Sequence, residues 1–185
     1  MRSAVFLDRD GTLIRDKGYI SRISQVELYP YTIRSLRKLQ KGFLLFIVTN
    51  QSGISKGVTA LEDVNTVNAH LLKILKKSGI VITELYMCPH DKTDGCKCRK
   101  PGTYFVDKAR RKYKLDLASS FVIGDHPSDV MLAVNSGAKG IFVLTGHGRH
   151  HREEVVQLKN KDISITVNLE KAVTRIAKQN RRLIV

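Results

Sequence analysis

The sequence predicts an α/β fold in which a parallel sheet carries helices on both faces. Short apolar runs, typical of buried strands, alternate with longer segments whose apolar residues recur at helical spacing. The run at residues 43–48 is continuously apolar, as expected of a parallel strand that is covered on both sides. The chain has 185 residues and no repeat, low-complexity tract or linker, so we expect a single domain over residues 1–185.

Six strands are predicted from apolar runs that end in turn-forming or acidic residues. The first run ends just before Asp8, and the fourth ends just before Gly124 and Asp125. The sixth is expected to be an edge strand. In chain order, the predicted strands cover residues 4–7, 43–48, 84–88, 120–123, 140–144 and 163–167.

Five helices are predicted between and after these strands. The first begins at Pro30 and closes at Gly42, because proline is favoured at a helix start and glycine just past its end. Thr59 and Glu62 predict a capping box at the start of the second helix, which stops near Gly79. The other three cover residues 102–114, 127–137 and 168–180. The second helix is predicted to bury Val64, Val67, Leu71, Ile74 and Leu75.

Composition excludes several classes of protein. Apolar residues make up 42% of the chain and charged residues 26%, which is ordinary for a globular protein. No apolar run approaches the roughly 18 residues that span a bilayer, and the first run is too short for a secretory leader. We therefore expect a cytoplasmic protein that does not bind membranes and acts as a monomer. The net charge of +15 favours an anionic partner, although the basic stretch at 171–182 is predicted to be a solvated helix face.

Polar residues follow three predicted strands, at the edge where an open parallel sheet binds its ligands. Asp8 and Asp10 follow the first strand, Thr49 follows the second, and Asp125 follows the fourth. Carboxylates two residues apart repel each other, and a hard cation such as Mg²⁺ relieves that repulsion. The alternative is that Asp8 and Asp10 only cap the turn before Gly11, but the combination with the other segments favours a shared site.

These segments resemble the motifs of the haloacid dehalogenase superfamily of phosphatases. The resemblance covers nearly the whole chain and implies a Rossmann-like fold. The short span between the first two motifs leaves no room for a large cap domain. Phe6 to Thr12 resemble the first motif, Thr49 and Asn50 the second, Lys100 the third, and Gly124, Asp125 and Asp129 the fourth.

The resemblance implies a phosphomonoesterase that works through an aspartyl-phosphate. Asp8 would attack phosphorus as the nucleophile. Asp10 would protonate the leaving alkoxide and then activate the water of the second step. The Thr49 hydroxyl, the amide of Asn50 and the Lys100 ammonium would hold the phosphate oxygens.

The resemblance also implies a catalytic Mg²⁺. Its ligands would be the carboxylates of Asp8 and Asp125 and the main-chain carbonyl of Asp10. Two roles remain open for Asp129. It would either position Lys100 or a metal-bound water, or it would be an acid of the first helical turn that is favoured by the helix dipole.

Three cysteines and a histidine predict a zinc-bound loop. Cys88, His90, Cys96 and Cys98 form the pattern C-x-H-x5-C-x-C, and four protein ligands leave no open position on Zn²⁺, so the site is expected to be structural. It would fix the position of Lys100, two residues further along the chain. The alternative is a loop with three free thiols. A nucleic-acid-binding zinc finger is not expected, because it would need longer spacing between its ligand pairs.

Within the superfamily, two phosphatase families share the zinc-loop pattern, those acting on D-glycero-D-manno-heptose 1,7-bisphosphate and on histidinol phosphate. Gly18, Tyr19 and the run at 50–57 resemble the heptose group and favour it, whereas the short gap between His90 and Cys96 resembles the histidinol group. Arg99 would grip the phosphate that is not cleaved. The residues expected to contact substrate are Asp16, Lys17, Gly18, Tyr19, Thr49, Asn50, Gln51, Ser52, Arg99, Lys100 and His126.

The chain departs from both families at two positions. His126 stands where lysine or arginine is usual, and Pro101 is followed directly by Gly102. Residues 146–151 would add phosphate contacts or a second metal site, or form a turn into a surface helix, which we favour.

The competing functions are a basic zinc protein that binds nucleic acid without catalysis, and a nucleic-acid 3′-phosphatase. A scarcity of aromatic residues argues against a nucleic-acid stacking surface.

Overall fold

Six parallel strands form one sheet in the computed structural model, which describes residues 2–179. Their spatial order is β3-β2-β1-β4-β5-β6, and every neighbouring pair is parallel. The strands are β1 (Ala4–Leu7), β2 (Leu44–Asn50), β3 (Glu84–Cys88), β4 (Phe121–Gly124), β5 (Lys139–Val143) and β6 (Ile163–Thr166). The helices are α1 (Thr32–Leu39), α2 (Leu61–Lys77), α3 (Tyr104–Tyr113), α4 (Pro127–Ser136), α5 (Arg152–Gln157) and α6 (Leu169–Gln179).

Alternate residues of the central strand β1 enter the cores on opposite faces of the sheet. Val5 and Leu7 belong to the core that includes apolar residues of α1, α2 and α6. Ala4 and Phe6 belong to the core that includes residues of α3 and α4. This period-2 alternation within a fully buried strand is the reason why helices on both faces are needed to cover the sheet. The predicted fold class is therefore confirmed.

The predicted strands are all present, and their ends shift by at most two residues. The first helix begins at Thr32 rather than at Pro30, because Pro30 lies in the turn before it. The turn predicted after β5 does lead into a short helix, α5. Among the described residues, no helix combines the length and the apolar character that crossing a bilayer requires.

The predicted capping box at the start of α2 is wrong. The N-cap residue is Ala60, which provides no side-chain cap, and Glu62 is the second residue of the helix. The amide of Thr59 donates to the carbonyl of Gly53 at 3.1 Å, and this bond ties Thr59 to the preceding loop. The predicted burial of Ile74 is only partial, while Asn68 of the same helix is buried.

The end of the chain is described up to Gln179. The predicted terminal helix matches α6 over the described part, and Lys171 and Arg175 of its basic stretch are exposed. The last predicted helical residue, Asn180, and the basic residues Arg181 and Arg182 lie outside the described residues.

The strand order brings three sequence segments to one edge of the sheet. β1 lies between β2 and β4, and Leu7 is in register with both Ile47 and Ile123. Because all three strands run in the same direction, the residues that follow them meet at their shared carboxyl edge. The site described below is built on this edge.

We predict that Phe46→Ala lowers the free energy of unfolding by about 3–5 kcal/mol, since it removes a buried aromatic ring and leaves a cavity. Phe46 is fully buried in the central part of the sheet, and its ring centroid lies 5.0 Å from that of Phe6. Denaturant unfolding monitored by circular dichroism measures the change. Val81→Ala is the matched control, because Val81 is 72% exposed, and a control loss as large as that of Phe46→Ala would contradict the core assignment.

Candidate active site

A cavity of about 330 Å³ opens at the carboxyl ends of β1, β2 and β4. It collects nearly all of the residues that the sequence predicted for the site. Lys17 is the exception, since its ammonium lies 2.9 Å from a carboxylate oxygen of Glu27 and it does not line the cavity. Ser128 lines the cavity but was not predicted, and His147 lines it as well, although a turn into a surface helix was the favoured prediction for residues 146–151. The lining consists of Asp8, Asp10, Asp16, Gly18, Tyr19, Thr49, Asn50, Gln51, Ser52, Arg99, Lys100, Asp125, His126, Ser128, Asp129 and His147.

The ammonium of Lys100 lies at the base of this cavity and is almost fully buried. Its Nζ donates to Oδ1 of Asp8 at 2.6 Å and to the carbonyl of Val48 at 2.9 Å. The same Nζ lies 2.6 Å from Oδ1 of Asp129. Lys100 therefore joins the first and fourth sequence motifs through a single buried charge, and both partners compensate the cost of removing that charge from water.

Three buried carboxylates cluster here, and two of them, Asp8 and Asp129, contact this one cation. Asp8, Asp125 and Asp129 each offer an oxygen, and these oxygens all lie within 4.8 Å of one another. Burial, as the largest cause, raises the pKa of Asp8 to about 7 and that of Asp125 to about 9. Burial alone would lower the pKa of Lys100, but Asp129 and Asp8 raise it above its ordinary value. One ammonium cannot balance three ionised carboxylates, so the metal-free cluster retains protons, and a hard divalent cation with oxygen ligands would take their place.

The carboxylate of Asp10 is held by a second, separate set of donors. Arg9 is fully buried, and its Nε and Nη2 donate to Oδ2 of Asp10 at 3.1 and 2.9 Å. Gln51 Nε2 donates to the same oxygen at 2.8 Å and to Thr49 Oγ1 at 2.8 Å. Arg9 Nη1 in turn donates to Oδ1 of the buried Asn68 on α2 at 2.6 Å. Neither Arg9 nor Asn68 was predicted as a site residue, because only the tertiary contact relates them.

Asp129 contacts both Lys100 and the start of α4. Its Oδ1 lies 2.6 Å from Nζ of Lys100. Its Oδ2 accepts a hydrogen bond of 3.0 Å from the main-chain amide of His126, the N-cap residue of α4. A Cβ on Gly124 would lie 2.1 Å from Cγ of Asp129, so only glycine allows this close approach.

His126 is fixed by the start of the helix that follows it. Its Nδ1 accepts from the amide of Ser128 at 3.2 Å, which leaves Nε2 as the ring nitrogen that is free to carry a proton. Burial lowers the pKa of His126 below its ordinary value. At neutral pH the residue therefore offers a neutral donor rather than a cation.

The cysteine–histidine loop folds into a cluster that suits one tetrahedral metal ion. Sγ of Cys88 lies 3.6 Å from Sγ of Cys96 and 3.0 Å from Sγ of Cys98. Nδ1 of His90 lies 3.6 Å from Sγ of Cys88 and 3.3 Å from Sγ of Cys98. A tetrahedron with metal–sulfur distances of about 2.3 Å has edges of about 3.8 Å. The separations of Cys88 from Cys96 and from His90 are close to this value, whereas Cys88 and Cys98 lie closer together. Burial raises the pKa of the Cys88 thiol above its usual range, so ionisation there requires a nearby cation.

The loop is also coupled to the cavity. Arg99 lines the cavity, and its Nη1 donates to the carbonyl of His90 at 2.9 Å. The amide of Lys100 donates to Oδ1 of Asn50 at 3.1 Å, so the side chain of Asn50 braces the main chain of Lys100. Ser55, in the loop after β2, donates through its hydroxyl to Asp94 at 2.6 Å. The cysteine–histidine loop and the loop after β2 are therefore held together next to the cavity.

Comparisons with known sequences agree with these observations. A family model described as HAD-hydrolase-like matches residues 97–169. The D-glycero-alpha-D-manno-heptose-1,7-bisphosphate 7-phosphatase of Campylobacter jejuni is 36% identical over 158 residues, which are 85% of this chain and 90% of that protein. The histidine biosynthesis bifunctional protein HisB of Blochmanniella floridana is 31% identical over 183 residues, covering 89% of this chain but 51% of that protein.

A solved structure has the same architecture over almost the whole chain. The D,D-heptose 1,7-bisphosphate phosphatase from B. bronchiseptica, crystallised with magnesium and phosphate, superposes with a TM-score of 0.85 and 25% identity. The match covers 96% of this chain and 99% of that one. The chain belongs to the haloacid dehalogenase superfamily, in the family whose members are named D-glycero-D-manno-heptose-1,7-bisphosphate 7-phosphatase.

Proposed function

We propose that this protein is a Mg²⁺-dependent phosphatase that removes the 7-phosphate of D-glycero-D-manno-heptose 1,7-bisphosphate through an aspartyl-phosphate. The observation that carries the proposal is the convergence of Asp8, Lys100 and Asp125 on one cavity, where a divalent cation would take the place of the protons that the two carboxylates retain. The names of the relatives support the substrate. We propose that the enzyme works in the cytoplasm, where reducing conditions keep its thiols available to a metal.

In the first step, Asp8 attacks phosphorus and forms a bond to it while the ester P–O bond breaks. The departing alkoxide takes a proton from the Asp10 carboxyl group, which Arg9 and Gln51 hold in place. The ammonium of Lys100, the hydroxyl of Thr49 and the main-chain amide of Asn50 bind the phosphate oxygens.

In the second step, the Asp10 carboxylate takes a proton from a water molecule, which attacks phosphorus. The bond to Asp8 breaks, inorganic phosphate is released, and the Asp8 carboxylate is regenerated. Asp8 and Asp125, with the main-chain carbonyl of Asp10, would hold Mg²⁺. The ion would neutralise the charge between nucleophile and phosphate and orient the transferred group.

Further lining residues of the cavity support a sugar bisphosphate as substrate. Asp16, Gly18 and Tyr19 line the cavity and offer hydrogen-bond acceptors and an aromatic face to a polyol. Arg99 lines the cavity as well, and its guanidinium suits the phosphate that is retained. Histidinol phosphate is the second candidate, since the HisB relative is 31% identical over an alignment that covers 89% of this chain.

We predict that purified protein with Mg²⁺ hydrolyses heptose 1,7-bisphosphate at least about tenfold more efficiently, in kcat/KM, than histidinol phosphate or a 3′-phosphorylated oligonucleotide; a tenfold ratio needs only about 1.4 kcal/mol of differential binding. Phosphate release measures all three reactions. Faster turnover of histidinol phosphate would replace the proposed substrate, and retention of the oligonucleotide without hydrolysis of any compound would favour the nucleic-acid-binding alternative.

The matched variants for this experiment are Asp8→Asn and Asp10→Asn. Each is expected to abolish turnover, because the first removes the nucleophile and the second removes the acid and base, while circular dichroism shows a folded protein. Full activity of purified Asp8→Asn would contradict the covalent mechanism.

A second prediction concerns the pH dependence of Mg²⁺ binding. Because the pKa values of Asp8 and Asp125 are raised, the folded protein holds protons there that the unfolded chain releases above about pH 4. The stability of the metal-free protein should therefore fall as the pH rises from about 4 to about 9. Mg²⁺ competes with these protons, so it should raise the melting temperature more at about pH 8 than at about pH 6.

Thermal unfolding with Mg²⁺ or with a chelator measures this difference. Asp125→Asn is the matched variant, since it removes one ligand and its titration, and it should lose most of the Mg²⁺-dependent rise. An equal Mg²⁺ effect at both pH values would contradict the assignment of the binding site.

We further propose that Cys88, His90, Cys96 and Cys98 bind a structural Zn²⁺, which the separations of their ligand atoms support. Metal analysis should find about one zinc per chain. Cys96→Ser should lower the melting temperature and kcat together, because the loop also holds Arg99. Thr93→Ser is the control, as an exposed position of the same loop, and normal activity in zinc-free protein would contradict the proposal.

A further inference from the structure

The turn after β5 makes contacts that a surface turn would not need. It consists of Thr145, Gly146, His147 and Gly148, and we refer to it as the 145–148 turn. The hydroxyl of Thr145 donates to the carbonyl of Gly11 at 2.6 Å. The main-chain amide of His147 donates to Oδ2 of Asp125 at 2.7 Å. The turn is therefore bonded to the first motif and to the acidic cluster.

The backbone of this turn lies directly against Asp125. Gly146 has a φ of +52°, and a Cβ at this position would lie 2.1 Å from Oδ2 of Asp125 and 2.5 Å from the Cα of Gly11. Glycine is thus required here both by the conformation and by the space. The close approach is what allows the amide of His147 to reach the carboxylate.

The side chain of His147 contacts a second carboxylate that lines the cavity. Its Nε2 lies 2.8 Å from Oδ2 of Asp16, whose Oδ1 accepts from the amide of Gly18 at 2.8 Å. Asp16 is largely buried, at 17% side-chain exposure, whereas His147 is 63% exposed. The imidazole therefore fixes a more buried carboxylate from the solvent side of the cavity mouth.

We infer that His147 is a positioning residue, which holds Asp16 through its imidazole for contact with the substrate hydroxyls and holds Asp125 through its main-chain amide. The inference rests on the proposed function. It predicts that the two contacts separate experimentally, since a side-chain substitution removes the bond to Asp16 and leaves the amide bond to Asp125. A substrate without hydroxyl groups gains nothing from Asp16.

The test compares His147→Ala and His147→Gln with wild type on heptose 1,7-bisphosphate and on p-nitrophenyl phosphate. His147→Ala should raise KM for the heptose compound about tenfold, as expected for one lost hydrogen bond to a charged group, and change kcat by less than about threefold. Its kinetics on p-nitrophenyl phosphate should match wild type. His147→Gln should raise KM less than His147→Ala does, because the glutamine side-chain amide is also a hydrogen-bond donor.

His150→Ala is the side-chain control, since His150 is an exposed histidine just after the same turn and does not line the cavity. An unchanged KM for the heptose compound in His147→Ala, or an equal rise in KM on both substrates, would overturn the inference. If wild-type protein hydrolyses neither compound, the proposed function fails instead.

The backbone contact has its own test. Gly146→Ala should lower kcat on both substrates by at least about tenfold, because the added Cβ displaces Asp125. Gly79→Ala is the control, since Gly79 also has a positive φ, of +75°, but nothing lies within 4 Å of the Cβ position. Equal kcat losses in the two variants would show that backbone strain alone accounts for the effect and would overturn the positional role of the turn.

Discussion

The buried ammonium of Lys100 is the interaction on which the rest of the site depends. It lies 2.6 Å from carboxylate oxygens of both Asp8 and Asp129, with almost no access to water. A lysine in such a place remains charged only because two carboxylates and a main-chain carbonyl surround it. The acids in turn depend on it, yet with the third carboxylate, Asp125, the cluster holds more acidic groups than one ammonium can balance in their ionised form. This imbalance makes the arrangement suited to a divalent cation and an anionic ester rather than to stability alone.

Lys100 does not come from a strand end, and its position depends on the loop before it. The cysteine–histidine loop leads directly to Arg99 and Lys100, and it has few apolar residues with which to hold a fixed shape. Its order comes from the cluster of Cys88, His90, Cys96 and Cys98, which could hold a metal ion, from the bond between Arg99 and the carbonyl of His90, and from the contacts of Asn50 with the main chain of Lys100. A structural metal would thus act on catalysis indirectly, through the position of one ammonium group.

The second layer of the site is built from groups that carry no motif of their own. Asn68 on α2 holds the buried guanidinium of Arg9, and Arg9 holds Asp10. The 145–148 turn holds Asp125 through a backbone amide and Asp16 through an imidazole. Asn68 is far from Asp10 in the sequence and acts on it through Arg9, whereas the 145–148 turn contacts Asp125 directly. In both cases the contact orients a carboxylate, and this orientation decides which proton or ligand the carboxylate can reach. The residues proposed as nucleophile, acid and metal ligand are therefore positioned by three different parts of the fold.

The sequence by itself determined the parallel sheet, the positions of the strands and the segments that meet at its carboxyl edge. These features follow from local patterns, such as the apolar run of β2 or the polar residues after β1, and parallel strands must bring their ends to one edge. The tertiary structure alone decided that Lys17 pairs with Glu27, that Thr59 joins a loop instead of capping α2, and that His147 reaches Asp16. Such contacts depend on where distant segments pack, since the hydroxyl of Thr145 and the carbonyl of Gly11 are 134 residues apart in the chain. No local pattern encodes a distance of that kind.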